Sequence, residues 1–272
     1  MKILNIIRRV LLKIISDKPV LFDTFENYNK AAKNGEGYSE DILVKVIVEK
    51  AKKYKENLNI KNEVDLISLR SFFAISFILQ KNTINILDFG GGAGTHYFLL
   101  KKFFGEKTKI NWHVVETQLM VNESKKNNLE SKELKFFSSI DSAIKDIDKF
   151  DLVYANSSLP YTDKPLMYLE KLLKVNSDFL YFTRTPLSEY GKENIVGLQI
   201  SKLSANGEGT IPEELNIEDR LIKYPFTAMA KENVENIINK YGDIELIINE
   251  EKNSYPTKKG NFNNFGYIVK KR

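Results

Sequence analysis

The stretch from Ile84 to Gly94 constrains this chain more than any other. A short apolar strand ends in the acid Asp88, turns through Gly90, Gly91, Gly92 and Gly94, and leads straight into a helix-like segment. Residues without side chains let the backbone approach a ligand closely, and the amides of the turn and helix start form the floor of a site. Asp88 and the four glycines are therefore candidate binding residues.

Their spacing narrows the ligand. A dinucleotide site wants G-x-G-x-x-G, yet from Gly90 and Gly92 the last position is Thr95, and from Gly92 and Gly94 it is Tyr97. No Lys-Ser or Lys-Thr pair comes directly after the glycines, so the phosphate-cradling loop of nucleotide hydrolases is absent too. What remains is D-x-G-G-x-x-G. Ile110 to Glu116 then reads as a second strand ending in a carboxylate. An acid at the tip of the neighbouring strand, roughly 20 residues beyond the turn, can accept hydrogen bonds from both hydroxyls of a ribose. The competing role for Glu116 is to cap a helix beginning near Thr117.

The 272 residues suffice for one large α/β domain with extensions. A formal charge of +5, from 41 basic and 36 acidic residues, is too small and dispersed to argue for nucleic acid. No cysteine means no disulfide, thiolate metal site or cysteine nucleophile, and two histidines, His96 and His113, argue against a multi-histidine metal centre. No metal is expected. No apolar run approaches a membrane span, so a soluble, cytoplasmic chain is expected. Met1 to Lys18 has the spacing of a basic amphipathic helix. It either packs on its own domain or a partner subunit, or makes peripheral contact with an anionic membrane surface. Its interrupted apolar run, with no small-residue cleavage site after it, does not fit a signal peptide.

From Phe22 to Gln80 helices joined by polar turns are expected, with a break from Asn34 to Ser39. Ser39 would cap a helix from Glu40 to Tyr54, and Val64 to Leu79 would form another. Residues 1–80 are read as a helical N-terminal extension or lid, and 81–272 as the main domain. Strands at 84–89, 110–116, 134–137, 151–155 and 178–183 alternate with helices, which means a mostly parallel sheet with helices on both faces. Residues 185–227 are too long for a plain loop and are read as a partly helical insertion after strand five. A helix from Lys231 to Tyr241, then strands at 243–250 and 263–269, would close the sheet as a hairpin.

The chain resembles a family of class I S-adenosylmethionine-dependent methyltransferases often encoded among bacterial surface-polysaccharide genes. The resemblance rests on Gly37-Tyr38, Leu87 to Gly91, Gly94 to Phe98, Trp112 to Glu116, Asp151 to Tyr161, Arg184-Thr185-Pro186 and Tyr224-Pro225. It implies a Rossmann-like fold with a seven-stranded sheet, S-adenosyl-L-methionine as cofactor, and methyl transfer to a sugar or other small-molecule acceptor. It also implies that the glycine turn packs against the methionine part of the cofactor. A nucleic-acid methyltransferase is the enzymatic alternative, although Asn156 to Tyr161 is not the compact Asn-Pro-Pro-Tyr motif used on base amines. A binder of S-adenosylmethionine without turnover is the third reading.

Ligands of open α/β sheets lie at the carboxyl ends of strands, which directs attention to the tips. Asn156, Ser157 and Tyr161 follow strand four, placed either to touch cofactor or acceptor or simply to make a turn. Ser139 and Ile140 follow strand three and would border the adenine, with Asp141 as a contact or a cap. Arg184 ends an aromatic-rich strand, where a guanidinium needs either an acidic partner or a cleft. An acceptor carboxylate or phosphate would suit it. His96 opens the helix after the turn as a base or a cofactor contact, and His113 is expected in the core. Tyr38 and Tyr224 are read as lids over cofactor and acceptor, or as core aromatics.

Overall fold

Strands apolar along their whole length need cover on both faces, and the chain supplies it by alternating them with helices. The computed structural model describes residues 20–38, 40–58, 68, 69, 72, 73, 76, 81–189, 191–250 and 254–272. Its centre is five parallel strands: β2 (Thr83–Phe89), β3 (Lys109–Val115), β4 (Leu134–Phe137), β5 (Phe150–Asn156) and β6 (Ser177–Ser188). They lie in the order β4-β3-β2-β5-β6, so the sheet reverses direction beside β2, where ligands of such sheets bind. Ile84 and Ile86 of β2 join a core that includes residues of α2 (Asp41–Asn57), α3 (Thr95–Phe104) and α4 (Gln118–Lys126). Leu87 and Phe89 join the opposite core, with α5 (Ile140–Ile144), α6 (Pro165–Lys174) and α7 (Lys231–Tyr241). Strand β11 (Gly260–Lys271) runs antiparallel between β6 and β9 (Gly242–Asn249), the closing hairpin anticipated at this end.

The sheet is larger than the seven strands expected. Among the described residues it has eleven, two of the four additional strands coming from the insertion that was expected to be partly helical. β6 runs on to Ser188, and β7 (Ile195–Lys202) and β8 (Leu221–Ala230) pair antiparallel before β8 rejoins β6 at Leu187 and Ser188. Short 3-10 turns at Leu203–Ala205 and Glu213–Leu215 are the helical content between them. The segment expected to be all helix from residue 22 also begins differently, since β1 (Val20–Phe25) is a strand on the free edge of β7. Its partner lies about 175 residues away, a pairing that local propensity cannot anticipate. β10 (Tyr255–Thr257) adds a short strand to β11. The amphipathic stretch Met1 to Lys18, Ser39 and most of the helix expected at 64–79 lie outside the described residues. The helix that Ser39 was expected to cap starts after Glu40.

The N-terminal segment is fastened onto this frame after α1 (Tyr28–Ala32). Arg220 pairs with Glu36 and Glu40, and the backbone amide of Glu36 donates to the Lys223 carbonyl. The strongest fastening is Lys50 of α2, only 1% exposed, whose ammonium donates to the carbonyls of Ser204, Asn206 and Gly207 at 2.7–2.8 Å. Burial pushes its pKa down to about 8, opposed by Glu208 and Asp219. Among the described residues no helix is long and apolar enough to cross a membrane.

Two predictions follow from this packing. Lys50→Met removes the donor for three carbonyls and should lower unfolding free energy by about 2 kcal/mol or more, measured by urea denaturation. His113, 2% exposed, is stacked on Phe137 and bonded to Asp146 at 2.7 Å. Burial holds its pKa below the usual value despite that carboxylate. The unfolded imidazole takes up a proton near 6.5 while the folded one stays neutral, so the stability tied to His113 is present above about pH 6.5 and is lost as pH falls toward the folded value. His113→Phe should flatten the change in urea midpoint between about pH 7.5 and 5.5, whereas an unchanged slope would assign it elsewhere.

Candidate active site

The glycine turn is shaped by backbone that side chains would forbid. Gly90, Gly92 and Gly94 have φ of 71°, 57° and 80°. A Cβ on Gly90 would lie 2.2 Å from the Cβ of Ser158, and one on Gly91 would lie 2.2 Å from Asp88 Oδ2. The Gly90 amide donates to the Val115 carbonyl at 2.8 Å, tying the turn to the tip of β3. Glu116, just beyond that tip, accepts from the Gly92 amide at 3.1 Å through Oε1 and from the Thr117 amide at 2.8 Å through Oε2. Burial raises its pKa, and the two amides oppose the rise. The cap of α4 is made by the Thr117 hydroxyl, which accepts from the Met120 amide.

Beneath the turn Asp88 is completely buried, with Oδ2 accepting from the Trp112 indole at 2.9 Å. His96, at the start of α3, places Nδ1 3.8 Å from that same oxygen and Nε2 3.4 Å from the Asn156 amide nitrogen. Four buried polar atoms near this turn make no hydrogen bond: Asp88 Oδ1, His96 Nδ1, Asn156 Oδ1 and Ser158 Oγ. Buried polar groups seldom stay unpaired, so a cluster of them marks a place built for a polar guest. Two are acceptors, and the imidazole and hydroxyl can each donate.

A second feature begins one residue along. Ser157 and Arg184, just past the tip of β5 and within β6, both have left-handed backbone, with φ of 56° and 52°. Such conformations are costly for side chains larger than glycine and persist only when the surroundings impose them. At Arg184 the imposing group is Glu250, which accepts from the Thr183 hydroxyl and from the Arg184 amide at 3.0 Å. The register of β11 against β6 shifts at this point, between Phe265 and Tyr267. Ser157 and Arg184 line one cleft with Tyr161, Gln199, Phe226 and Phe262, among others. Among the described residues the Arg184 guanidinium makes no ion pair.

Tyr38, Tyr161 and Tyr224 wall off the inner side. Tyr38 stacks on Tyr224 at 4.6 Å and meets Tyr161 edge-on at 4.8 Å. Tyr161 donates to Gln199 Oε1 at 2.7 Å and Tyr224 accepts from the Asn206 amide at 2.7 Å. Burial raises the pKa of all three phenols, that of Tyr224 to about 12, and Arg184 opposes the rise at Tyr38 and Tyr161.

The residues singled out in the sequence thus fall into four places. Asp88, Gly90, Gly91, Gly92, Gly94, His96, Glu116 and Asn156 surround the turn, while Arg184 and Tyr161 line the cleft. Tyr38 belongs to the tyrosine cluster, and Tyr224 is fully buried. Ser139 caps α5 by accepting from the Ser142 amide, with Asp141 in the first turn and Ile140 buried. Sequence reasoning missed Trp112 as the partner of Asp88, and Glu250, Gln199 and Lys50 as organisers. For Trp112 there was a signal: it lies two residues before Val114, the register partner of Asp88.

Solved structures similar to this chain include the N-terminal domain of EvdMO1 with SAH bound, at 12% identity and a TM-score of 0.49 over 77% of this chain and 82% of that one. An S-adenosylmethionine-dependent methyltransferase from Clostridium acetobutylicum ATCC 824 is similar at 18% identity and a TM-score of 0.48, over 79% of this chain and 95% of its own. The CcbJ methyltransferase from Streptomyces caelestis is similar at 9% identity and a TM-score of 0.49, over 75% and 89% respectively. No protein-family model and no curated protein matches the chain.

The close approach of Ser158 to the turn sets a test. Gly90→Ala meets both a steric clash and an unfavourable φ and should cost roughly 2 kcal/mol or more of stability. Adding Ser158→Gly should recover only the steric part, and full recovery in urea melts would show that φ at residue 90 carries no strain.

Proposed function

We propose that the chain is an S-adenosylmethionine-dependent methyltransferase, acting on the hydroxyl of a small-molecule acceptor, with a sugar destined for a surface glycan as the leading candidate. The observation that carries this reading is the tip of β5, where consecutive residues serve two places. The Asn156 side chain meets His96 beside the glycine turn, and Ser157 lines the Arg184 cleft. A donor site and an acceptor site meeting at one strand tip is what a group transfer needs.

The residues at the turn fit the proposed cofactor in kind. Asp88 Oδ1 and Asn156 Oδ1 can accept from an α-ammonium, and His96 and Ser158 can donate to an α-carboxylate. Each oxygen of Glu116 is engaged by a single backbone amide and keeps capacity for a ribose hydroxyl. Ser139 and Ile140 are assigned to the adenine side, and Tyr38 to the wall between cofactor and acceptor. When bound, S-adenosylmethionine supplies a methyl group made electrophilic by its sulfonium.

The chain's own task is then to position a hydroxyl, exclude water and accept a proton. Tyr161, a neutral phenol already donating to Gln199, acts as a positioning wall. His96 is assigned as proton acceptor through Nε2, the ring nitrogen 3.4 Å from the Asn156 amide nitrogen at the β5 tip, while Nδ1 keeps the donor role toward the carboxylate. Residues 1–80 are assigned as a lid over the 81–272 catalytic domain. In support, Ile47 of α2 approaches within 3.7 Å of where a Cβ on Gly92 would sit.

Calorimetric titration with S-adenosylhomocysteine tests the reading directly. Saturable binding is expected, with Glu116→Ala weakening it by about 10-fold or more and Gly90→Val abolishing it. A folded wild-type chain that takes up none would overturn the assignment. Salt-sensitive retention of RNA would instead favour the nucleic-acid alternative.

A further inference from the structure

The cleft beside Ser157 has a lopsided charge. Arg184 is half-buried there, and among the described residues no acidic side chain lines the cleft with it. The carboxylate nearest in the network, Glu250, is engaged on the backbone side of the same residue, holding the Thr183 hydroxyl and the Arg184 amide. It fixes the bend that presents Arg184. A guanidinium withdrawn from water needs an anionic or strongly accepting partner, and this one has neither among the described residues.

Its neighbours add directionality. Gln199 accepts from Tyr161 through Oε1, which leaves its amide nitrogen as a donor, and Ser157 brings a hydroxyl. Aromatic rings line the same cleft. Phe226 and Phe262 lie 5.5 Å apart, and Tyr255 stacks on Phe262 at 5.1 Å. Such a wall suits the apolar face of a ring, while the donors suit oxygens at its edge.

We infer that this cleft recognises an acceptor bearing a carboxylate or phosphate on a sugar-sized ring, the anion held by Arg184 with Gln199 and Ser157 beside it. Calling that ligand the acceptor rests on the methyltransferase reading; the anion site itself does not. Left-handed backbone at both Ser157 and Arg184 is the structural cost of aiming these side chains into one cleft. The charge sets substrate choice, because a neutral sugar would leave the guanidinium desolvated and unpaired.

The test uses the full chain with saturating S-adenosylhomocysteine and three probes, D-glucuronate, D-glucose 1-phosphate and D-glucose, followed by saturation-transfer NMR. At least one anionic probe should bind about 10-fold or more tightly than D-glucose, and Arg184→Gln should erase that preference while Arg184→Lys keeps part of it. Preference for glucuronate assigns a carboxylate, and preference for glucose 1-phosphate a phosphate. In the wild-type chain the Arg184 guanidinium resonance should shift with the preferred anion and not with D-glucose, a readout independent of any variant's folding. No preference among the probes, including binding by none, overturns the inference, as does a preference retained in Arg184→Gln. Titration of S-adenosylhomocysteine separates the two proposals. Anion preference without adenosyl binding would leave the site and remove the methyltransferase, and adenosyl binding without anion preference would do the reverse.

Discussion

A carboxylate sealed from solvent lies under the glycine turn, and much of the site is arranged around its position. Asp88 lies one residue before the end of β2, the strand beside which the sheet changes direction, and one of its oxygens is held by the Trp112 indole. That bond depends on β3 lying beside β2 in the register that sets Asp88 against Val114, with Trp112 two residues behind. The carboxylate then occupies the space a Cβ on Gly91 would need. Acid and glycine therefore form one unit: a side chain at 91 would displace Asp88, and losing Asp88 would orphan the Trp112 N–H within the core. Glu116 performs the matching task from β3, holding the Gly92 amide from outside the turn.

The other side of the site is organised by strain instead of burial. Ser157 and Arg184 sit in left-handed backbone at the ends of hydrogen-bonded segments of neighbouring strands, and Asn156 pairs with Thr183 immediately before both. Two adjacent strands thus break regular geometry at the same level. Glu250, arriving from beyond β9, stabilises the departure by engaging Thr183 and the Arg184 amide. A Cβ on Gly266 would come within 2.9 Å of that carboxylate, so the strand opposite leaves room for it. The result is a strand edge that opens into a cleft and stops lying flat against its neighbour.

What was legible in the sequence follows from this division. Four of the parallel strands and the helix at 231–241 were recovered nearly to the residue, because buried parallel strands are continuous apolar runs and their helices begin at turn residues, while β6 runs five residues past its expected end. The turn was legible because glycines in succession mark backbone that side chains forbid, and the position of Glu116 beside it because an apolar strand leads up to it. The insertion was not. Pro225 reads as a breaker, yet it lies within a paired strand, opposite Leu198. Proline is tolerated there because β6 meets β8 only at Met229 and Ala230, so one edge of the strand needs no donor at Pro225. β1 was equally hidden, its strand character coming from β7 alone. Glu250 and Lys50 could not be singled out, since each acts on backbone groups that composition does not reveal.

Lys50 shows how these distant parts become one site. From α2 it gathers the carbonyls of Ser204, Asn206 and Gly207, and the Asn206 side chain in turn donates to Tyr224. Tyr224 carries Tyr38, and Tyr38 abuts Tyr161 at the inner wall of the cleft. A single ammonium therefore sets the height of the tyrosine wall between the glycine turn and Arg184. The same helix lays Ile47 against both Gly92 and Gly207, so any displacement of α2 would be felt at the turn and the wall together. Coupling of this kind needs no contact between the two halves of the site. It needs only that both be packed against one helix, with the helix held by an ammonium whose loss would leave three carbonyls without their donor.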